Sequence, residues 1–324
     1  MSLPQTQKII QGDQNGEPVL LEVPVPKPSQ NEVLVKIEYA PVHPYDLMIL
    51  KGYHGGNKLV GSEGSGVVVA VGENLKYSHK IGDKVHVIGL GTYAQYMIAK
   101  SEKVFPILHK DLSFEDSATH YVNPATVHGM AYLAEKGGHK AAVQTVGSSV
   151  LGRMFIRYFK LKGIKTINIV RKDEYIEELK KEGADYVLNS QDQDFEEKLK
   201  EITAKENATI AFDAICGNFT NKVLTALPPK STLYIYGLLD GDKIKEISVP
   251  ALFQRKSIAC HVVTHYLEDA DEQKYQKIFN DIHTLLPDVF NSKILKVFPM
   301  EQINEGFAYF KTNKSIGKIL IKPN

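Results

Sequence analysis

From about Asn123 onward the chain alternates strand-length and helix-length segments, and no other feature constrains its fold as strongly. AAVQTV, TINIV, DYVLN, TIAFDAI and STLYIYG are short, apolar and rich in β-branched residues. Between them lie LGRMFIRYFKLKG, EYIEELKKEG, FEEKLKEITA and NKVLTAL, with TVHGMAYLAEKG ahead of the series, all with apolar residues at helical spacing. A strand, a helix and a second strand in repetition require a crossover over a sheet face, so the pattern predicts a doubly wound parallel sheet. A last strand, SIACHVVTH, and a helix, EQKYQKIFNDIHTLL, are expected after it.

The segment before Asn123 has a different texture. VLLEVPVP, EVLVKIEYA, GVVVAVG and DKVHVIGL are β-branched runs bounded by Gly, Pro, Asn or Asp, which reads as a β-rich module. The tail SIGKILIKP shares that texture, so the chain is expected to return to the first module. With 324 residues, 43% of them hydrophobic, two cores are affordable. The expected class is α/β, a doubly wound sheet at 122–265 inserted in a β-rich domain made of 1–121 and 266–324.

Composition excludes several partners. There are 39 basic and 38 acidic residues, a formal net charge of +1, so no broad field favours nucleic acid or an anionic membrane. Cys216 and Cys260 are the only cysteines, too few for a disulfide framework or a four-cysteine zinc site. No run reaches the roughly 18 apolar residues of a membrane span, and MSLPQTQKII reads as neither a signal peptide nor an Arg-rich presequence. A soluble cytoplasmic protein is expected, or a mitochondrial one from which a presequence has been removed.

One stretch carries chemistry: VQTVGSSVLGRM, residues 143–154. It departs from G-x-G-x-x-G, since Ser149 occupies the middle glycine position. A strand precedes it and a helix follows, as that fingerprint requires. Gly147 allows a tight turn, Ser148 and Ser149 can donate to phosphate, and Gly152 allows close packing of the helix. The next strand, TINIV, runs into Arg171 and Lys172 where an NAD site would carry an acidic residue. Two cations there suit the 2′-phosphate of NADP, and Asp173 reads as a cap for the following helix. The alternative is a ligand-free turn and a solvated arginine.

The segments APVHPYDLMILKGYHG, VGSEGSGVVVAVGENLKYSHKIGDKV, VNPATVHGM, INIVRKDE, GADYVLN and NKSIGKILI together resemble the medium-chain dehydrogenase/reductase superfamily. The resemblance covers nearly the whole chain and falls in the zinc-free quinone oxidoreductase and 2-enoyl thioester reductase branch, most like its mitochondrial-type enoyl reductases. It implies a GroES-like catalytic domain, a Rossmann cofactor domain, an active site in the cleft between them, and a homodimer joined through the strand containing SIACHVV. It also implies NADPH as cofactor, a small electrophilic molecule as substrate, and no nucleic acid or membrane as partner.

No metal is expected. Zinc-dependent relatives use a Cys in the first module and the His of a G-H-E motif, whereas this chain has no Cys there and Ser62 replaces the His in GSEGSG. His43, His54 and Glu63 do not make an expected substitute set, and His261 and His265 read as hydrogen-bonded structural residues. Without a metal, the cofactor and hydrogen-bond donors must carry the reaction. Hydride would pass from NADPH to the β-carbon of an α,β-unsaturated carbonyl compound, an enoyl thioester or an enone. A phenol could then protonate the enolate, and Tyr53 in KGYHG is the candidate; its alternative is a tyrosine at a loop edge with its hydroxyl in water.

By the same resemblance Asn123 lies near the nicotinamide or its ribose, the alternative being a cap for the helix after Pro124. Ser148, Ser149, Val150 and Leu151 wrap the pyrophosphate, and Arg171, Lys172 and Asp173 meet the adenosine phosphate end. Tyr236, Gly237, Leu238 and Leu239 meet the inner ribose, and His261, Val262, Val263 and Lys318 complete the cofactor set. Two departures stand out: His43 occupies a position where this branch usually has Asn, and CHVV replaces a segment that is aromatic in enoyl reductases. The alternatives are an NADPH-dependent quinone oxidoreductase and a non-catalytic NADPH-binding protein.

Overall fold

The structure is a computed structural model and describes residues 3–53, 58–109, 111–313 and 315–324; His54 lies outside the described residues. The chain forms two compact units, Met1–Val122 with Asn291–Asn324, and Asn123–Phe290.

The second unit carries one six-stranded parallel sheet in the order Tyr186–Asn189, Lys165–Val170, Ala141–Gln144, Ile210–Asp213, Thr232–Ile235, Ser257–Cys260. Numbered along this unit the order is 3-2-1-4-5-6, the Rossmann arrangement, in which ligands bind at the carboxyl ends where strands 1 and 4 part. The alternation in the sequence is therefore realised strand for helix. The Val150–Leu161 helix shows why: Met154, Phe155, Tyr158 and Phe159 fall on one buried face, while Lys160 and Leu161 point to solvent. Phe155 stacks on Phe159 at 3.7 Å between ring centroids, and both meet Phe212 of the Ile210–Asp213 strand edge-on. Each ring buried this fully contributes about 1.5–3 kcal/mol. Gly163, at φ +67°, turns the chain out of the helix.

Two expectations need correction. SIACHVVTH is not one strand: pairing with Thr232–Ile235 stops at Cys260, and Val263–Glu268 is a helix. The return to the first unit falls at Asn291 rather than at residue 266. The Glu272–Leu285 helix and the turn after it stay with the second unit, because Arg157 Nε donates to Val289 O at 2.9 Å and Tyr158 packs on Phe290 at 5.0 Å.

The first unit is built on a seven-stranded sheet. Its main path runs Ile294–Pro299, Lys318–Lys322, Glu32–Pro41, Glu63–Val71, Lys84–Ile88, Val104–Pro106, and Tyr96–Lys100 pairs separately with Glu32–Pro41. The closing strand is antiparallel to Glu32–Pro41, with Leu320 opposite Pro41 and Ile321 opposite Ala40, so the tail does return to the first module. Val33, Val35 and Ile37 from one side and Ile319 and Ile321 from the other enter one apolar core. Among the described residues no helix is long and apolar enough to cross a membrane.

Candidate functional site

In the second unit the first strand ends in the loop that the sequence singled out. Val146 adopts φ +58°, an uncommon conformation for a β-branched residue, and Gly147 N–H donates to Ile169 O at 2.9 Å. A Cβ on Gly147 would lie 3.0 Å from Asn168 Cβ, and one on Gly152 would lie 2.5 Å from Gly147 O. Gly152 is thus required by close approach to the loop itself, while Gly147 sits tightly against Asn168. Ser149 is the N-cap: its Oγ accepts the Gly152 N–H at 3.0 Å and keeps its own proton to donate.

The consequence lies in what is left over. Among the described residues the N–H groups of Ser148, Val150 and Leu151 have no protein acceptor, at the positive end of a helix of 12 residues. Such a donor set fits the pyrophosphate of a dinucleotide. Asn123 is 8% exposed, and its carboxamide also has no hydrogen-bond partner among the described residues. It does not cap the helix, which begins one residue earlier at Val122.

At the end of the second strand Arg171 is exposed, and its guanidinium has no partner among the described residues. Lys172 pairs with Glu174 at 3.1 Å. Asp173 is not the expected cap. It opens a short 3₁₀ turn and accepts from Asn189 Nδ2 at 2.9 Å, which ties the ends of two neighbouring strands together.

Reasoning from sequence missed the residues that hold this rim. Asp213, fully buried at the end of the fourth strand, accepts from the Thr145 and Thr220 hydroxyls at 2.8 and 2.6 Å and from Ile215 and Cys216 N–H at 2.9 and 3.2 Å. These bonds fix the turn in which Cys216 takes φ +64°. Gly237 backs onto that turn, where a Cβ would lie 2.9 Å from Ala214 O, and Leu239 N–H donates to Ala214 O. Tyr236 and Leu238 are half-buried on either side of it. An acidic residue ending a wholly apolar strand was the available signal.

His261 is buried, and its Nε2–H donates to Thr126 O at 3.0 Å. Burial lowers its pKa against that opposing bond, so the ring is a neutral strut between strand end and helix. His265 does not share this role, being exposed on the Val263–Glu268 helix, where Val262 is the N-cap and Val263 the first residue.

In the first unit Tyr53 is half exposed on the turn after the Pro44–Leu50 helix, its N–H donating to Met48 O at 3.2 Å. Lys318, expected with the cofactor residues, lies in a buried cluster of this unit. Its Nζ lies 3.1 Å from His43 Nδ1, and His43 Nε2 lies 2.7 Å from Glu63 Oε1. With Nδ1 accepting from the lysine, Nε2 carries the proton and donates to the carboxylate. Glu63 Oε2 also accepts Tyr121 and Val122 N–H at 2.8 and 3.2 Å. Burial opposes ionisation of Glu63, but the hydrogen bond from His43 and the surrounding cluster, with the Lys318 ammonium in it, prevail and hold its pKa at about 2. The Lys318 pKa is also lowered, to about 8, because burial outweighs Glu63 and Asp46, so here the shift favours the neutral form.

Asp46 completes the cluster. It accepts from His43 N–H at 2.7 Å, Tyr93 Oη at 2.8 Å, Gly61 N–H at 3.1 Å and Ser62 Oγ at 3.3 Å. Ser62 therefore supports the Pro44–Leu50 helix through Asp46. Among the described residues no group of three or more His, Cys, Asp or Glu could hold a metal ion.

A Rossmann sheet with a donor-rich loop, carried in one chain with a β-rich unit, defines a nicotinamide-dependent oxidoreductase. Residues 29–109 match the family of alcohol dehydrogenase GroES-like domains, and residues 150–279 match the family described as zinc-binding dehydrogenase. The mitochondrial enoyl-[acyl-carrier-protein] reductase of Caenorhabditis elegans is 32% identical over 246 residues, covering 72% of this chain and 69% of that protein. Its Xenopus tropicalis counterpart is 27% identical over 307 residues, covering 85% and 83%. A crystal structure described as an NADPH:quinone reductase from Mesorhizobium loti has a TM-score of 0.89, 28% identity and full coverage of both chains. The chain belongs to the medium-chain dehydrogenase/reductase superfamily, in its branch of zinc-free enoyl and quinone reductases.

Proposed function

We propose that the protein is an NADPH-dependent reductase of α,β-unsaturated carbonyl compounds, enoyl thioesters or enones, working without a metal. The observation that carries this reading is the set of unpaired donors at the Ser148–Leu151 loop together with the free Arg171 guanidinium. Ser148, Val150 and Leu151 N–H would hold the pyrophosphate, and Arg171 the 2′-phosphate through charge-assisted hydrogen bonds, with Lys172 beside it. Gly147 and Gly152 give the loop its shape, while Asn123, Tyr236 to Leu239 and His261 to Val263 would meet the nicotinamide end.

When bound, the cofactor supplies a hydride to the β-carbon of the substrate. Negative charge then gathers on the carbonyl oxygen and the α-carbon, and the Tyr53 hydroxyl donates its proton there as that carbon becomes basic. A substrate panel tests the reading: turnover of NADPH with crotonyl thioesters or enones is expected, and none with either refutes it. Faster turnover of quinones than of both would favour the quinone oxidoreductase alternative, for which the Mesorhizobium loti relative speaks. Tight NADPH binding without any turnover would favour a non-catalytic role.

We also infer a homodimer. The Ser257–Cys260 strand is paired on one side only among the described residues, and Val249, Leu252 and Phe253 near it are exposed, Phe253 by 84%. Sedimentation of the native protein and of Phe253→Asp tests this. The cytoplasm is the proposed compartment, and cell fractionation would separate it from the mitochondrial location printed for the relatives.

A further inference from the structure

His43 lies in a buried cluster whose geometry reaches the Tyr53 turn. It is the N-cap of the Pro44–Leu50 helix, which ends at Lys51 and Gly52 and delivers Tyr53. Its backbone N–H is held by Asp46 and its ring is held at both nitrogens, by Lys318 at 3.1 Å and Glu63 at 2.7 Å. All four side chains are at least nine-tenths buried. A ring fixed at both nitrogens has one orientation and one tautomer, and a helix start fixed through it has little freedom to tilt.

We propose that Lys318 is a positioning residue for the reduction, acting through His43 and Glu63 to hold the helix start and the Tyr53 turn beyond it. This inference rests on the reading of Tyr53 as proton donor. The ammonium is the component that can change. It faces His43 and Asp46 from the helix start and Glu63 from the adjoining strand, with His86 and Tyr93 bordering those carboxylates. When Lys318 loses its proton, Glu63 loses the positive charge behind His43 and the relay slackens. The amine can still meet His43 Nδ1, so turnover should fall to a lower plateau rather than to zero.

The test is kcat against pH for the native protein, followed by Lys318→Met. The native profile is expected to step down with a midpoint near pH 8, the pKa of the buried lysine. Lys318→Met, which can donate no hydrogen bond to His43, should be flat with pH and lie at or below the lower plateau, roughly tenfold to a hundredfold below native, with NADPH affinity within about twofold. His43→Asn combined with Lys318→Met should be no slower than His43→Asn alone, because the lysine then has no ring to hold. A flat native profile refutes the proposal, even where Lys318→Met fails to fold. So does a folded Lys318→Met that keeps native kcat, or one that loses NADPH affinity in step with kcat. Loss of turnover in Tyr53→Phe beside a flat native profile defeats the positioning role alone. Native turnover in Tyr53→Phe defeats the reading of Tyr53 and this inference with it.

Discussion

Replacing Gly152 by alanine tests the shape of the loop directly. The residue is third in the Val150–Leu161 helix, and alanine is favoured over glycine inside a helix by about 0.8–1 kcal/mol. Propensity alone therefore predicts a more stable protein. The structure predicts the reverse, because the new Cβ would lie 2.5 Å from Gly147 O, 2.7 Å from Gly147 C and 2.7 Å from Val146 O. These are backbone atoms with no rotamer to change, in a loop tied to Ile169 O and already carrying Val146 at φ +58°. Relieving such overlap typically costs about 1–3 kcal/mol, so after the propensity gain the net loss should be up to about 2 kcal/mol. NADPH binding should suffer more, since Val150 and Leu151 N–H must move and a hydrogen bond to a charged group is worth about 1.5–3 kcal/mol. At least a tenfold rise in Kd is expected, on the order of one such bond lost. Gly306→Ala is the control: it also lies in a helix, but its nearest neighbours are the Ile321 Cδ1 methyl at 3.3 Å and Phe298 ring atoms at 3.5 Å, which can yield. It should be neutral or stabilising by up to about 1 kcal/mol. Urea unfolding followed by circular dichroism, with NADPH titration by fluorescence, measures both variants. Native stability and native NADPH affinity in Gly152→Ala would refute the argument.

Three further outcomes follow from the same geometry. Arg171→Ala should weaken NADPH about tenfold to a hundredfold and leave NADH nearly unchanged, as parallel titrations would show; equal losses would exclude contact with the 2′-phosphate. Glu63, with its folded pKa at about 2 against 4.5 for the free side chain, contributes stability that is present above pH 4.5 and lost as the pH falls toward 2. Urea midpoints should fall across that window in the native protein and much less in Glu63→Gln, the native difference being on the order of 3 kcal/mol. Asp213→Ala strands two buried hydroxyls and two N–H groups, so it should destabilise by about 3–5 kcal/mol or prevent folding, and thermal melts decide.

Features decided by local rules were legible in the sequence. Alternating apolar runs announced the parallel sheet, and Gly147, Ser149 and Gly152 announced the loop, since strand, turn and N-cap each act over a few residues. The place of Arg171, just past the end of the second strand, was legible for the same local reason. The misreadings have a common origin in contacts distant along the chain. Val262 and Val263 have the β-branched form of a strand, yet His261 is drawn to Thr126 O on a helix 135 residues away in sequence and the strand stops at Cys260. Asp173 has the composition of a cap, but Asn189 from the neighbouring strand claims its carboxylate. The Lys318–His43 contact was not legible at all, since 275 positions separate the two and only the register of Lys318–Lys322 against Glu32–Pro41 brings them together.

That register also sets a schedule. The Asn123–Phe290 unit is one continuous stretch and can fold as soon as it leaves the ribosome, whereas the earlier residues must wait for the Lys318–Lys322 strand. At about 5–20 residues per second, Glu63 precedes Lys318 by on the order of ten to fifty seconds. Throughout that interval the His43–Glu63 pair lacks its ammonium, and Ala40 and Pro41 lack their partners Ile321 and Leu320. The half-made unit therefore presents a bare strand edge after the Asn123–Phe290 unit has had its whole length synthesised. Nascent chains released before Lys318 are expected to be the form that chaperones hold and proteases clear.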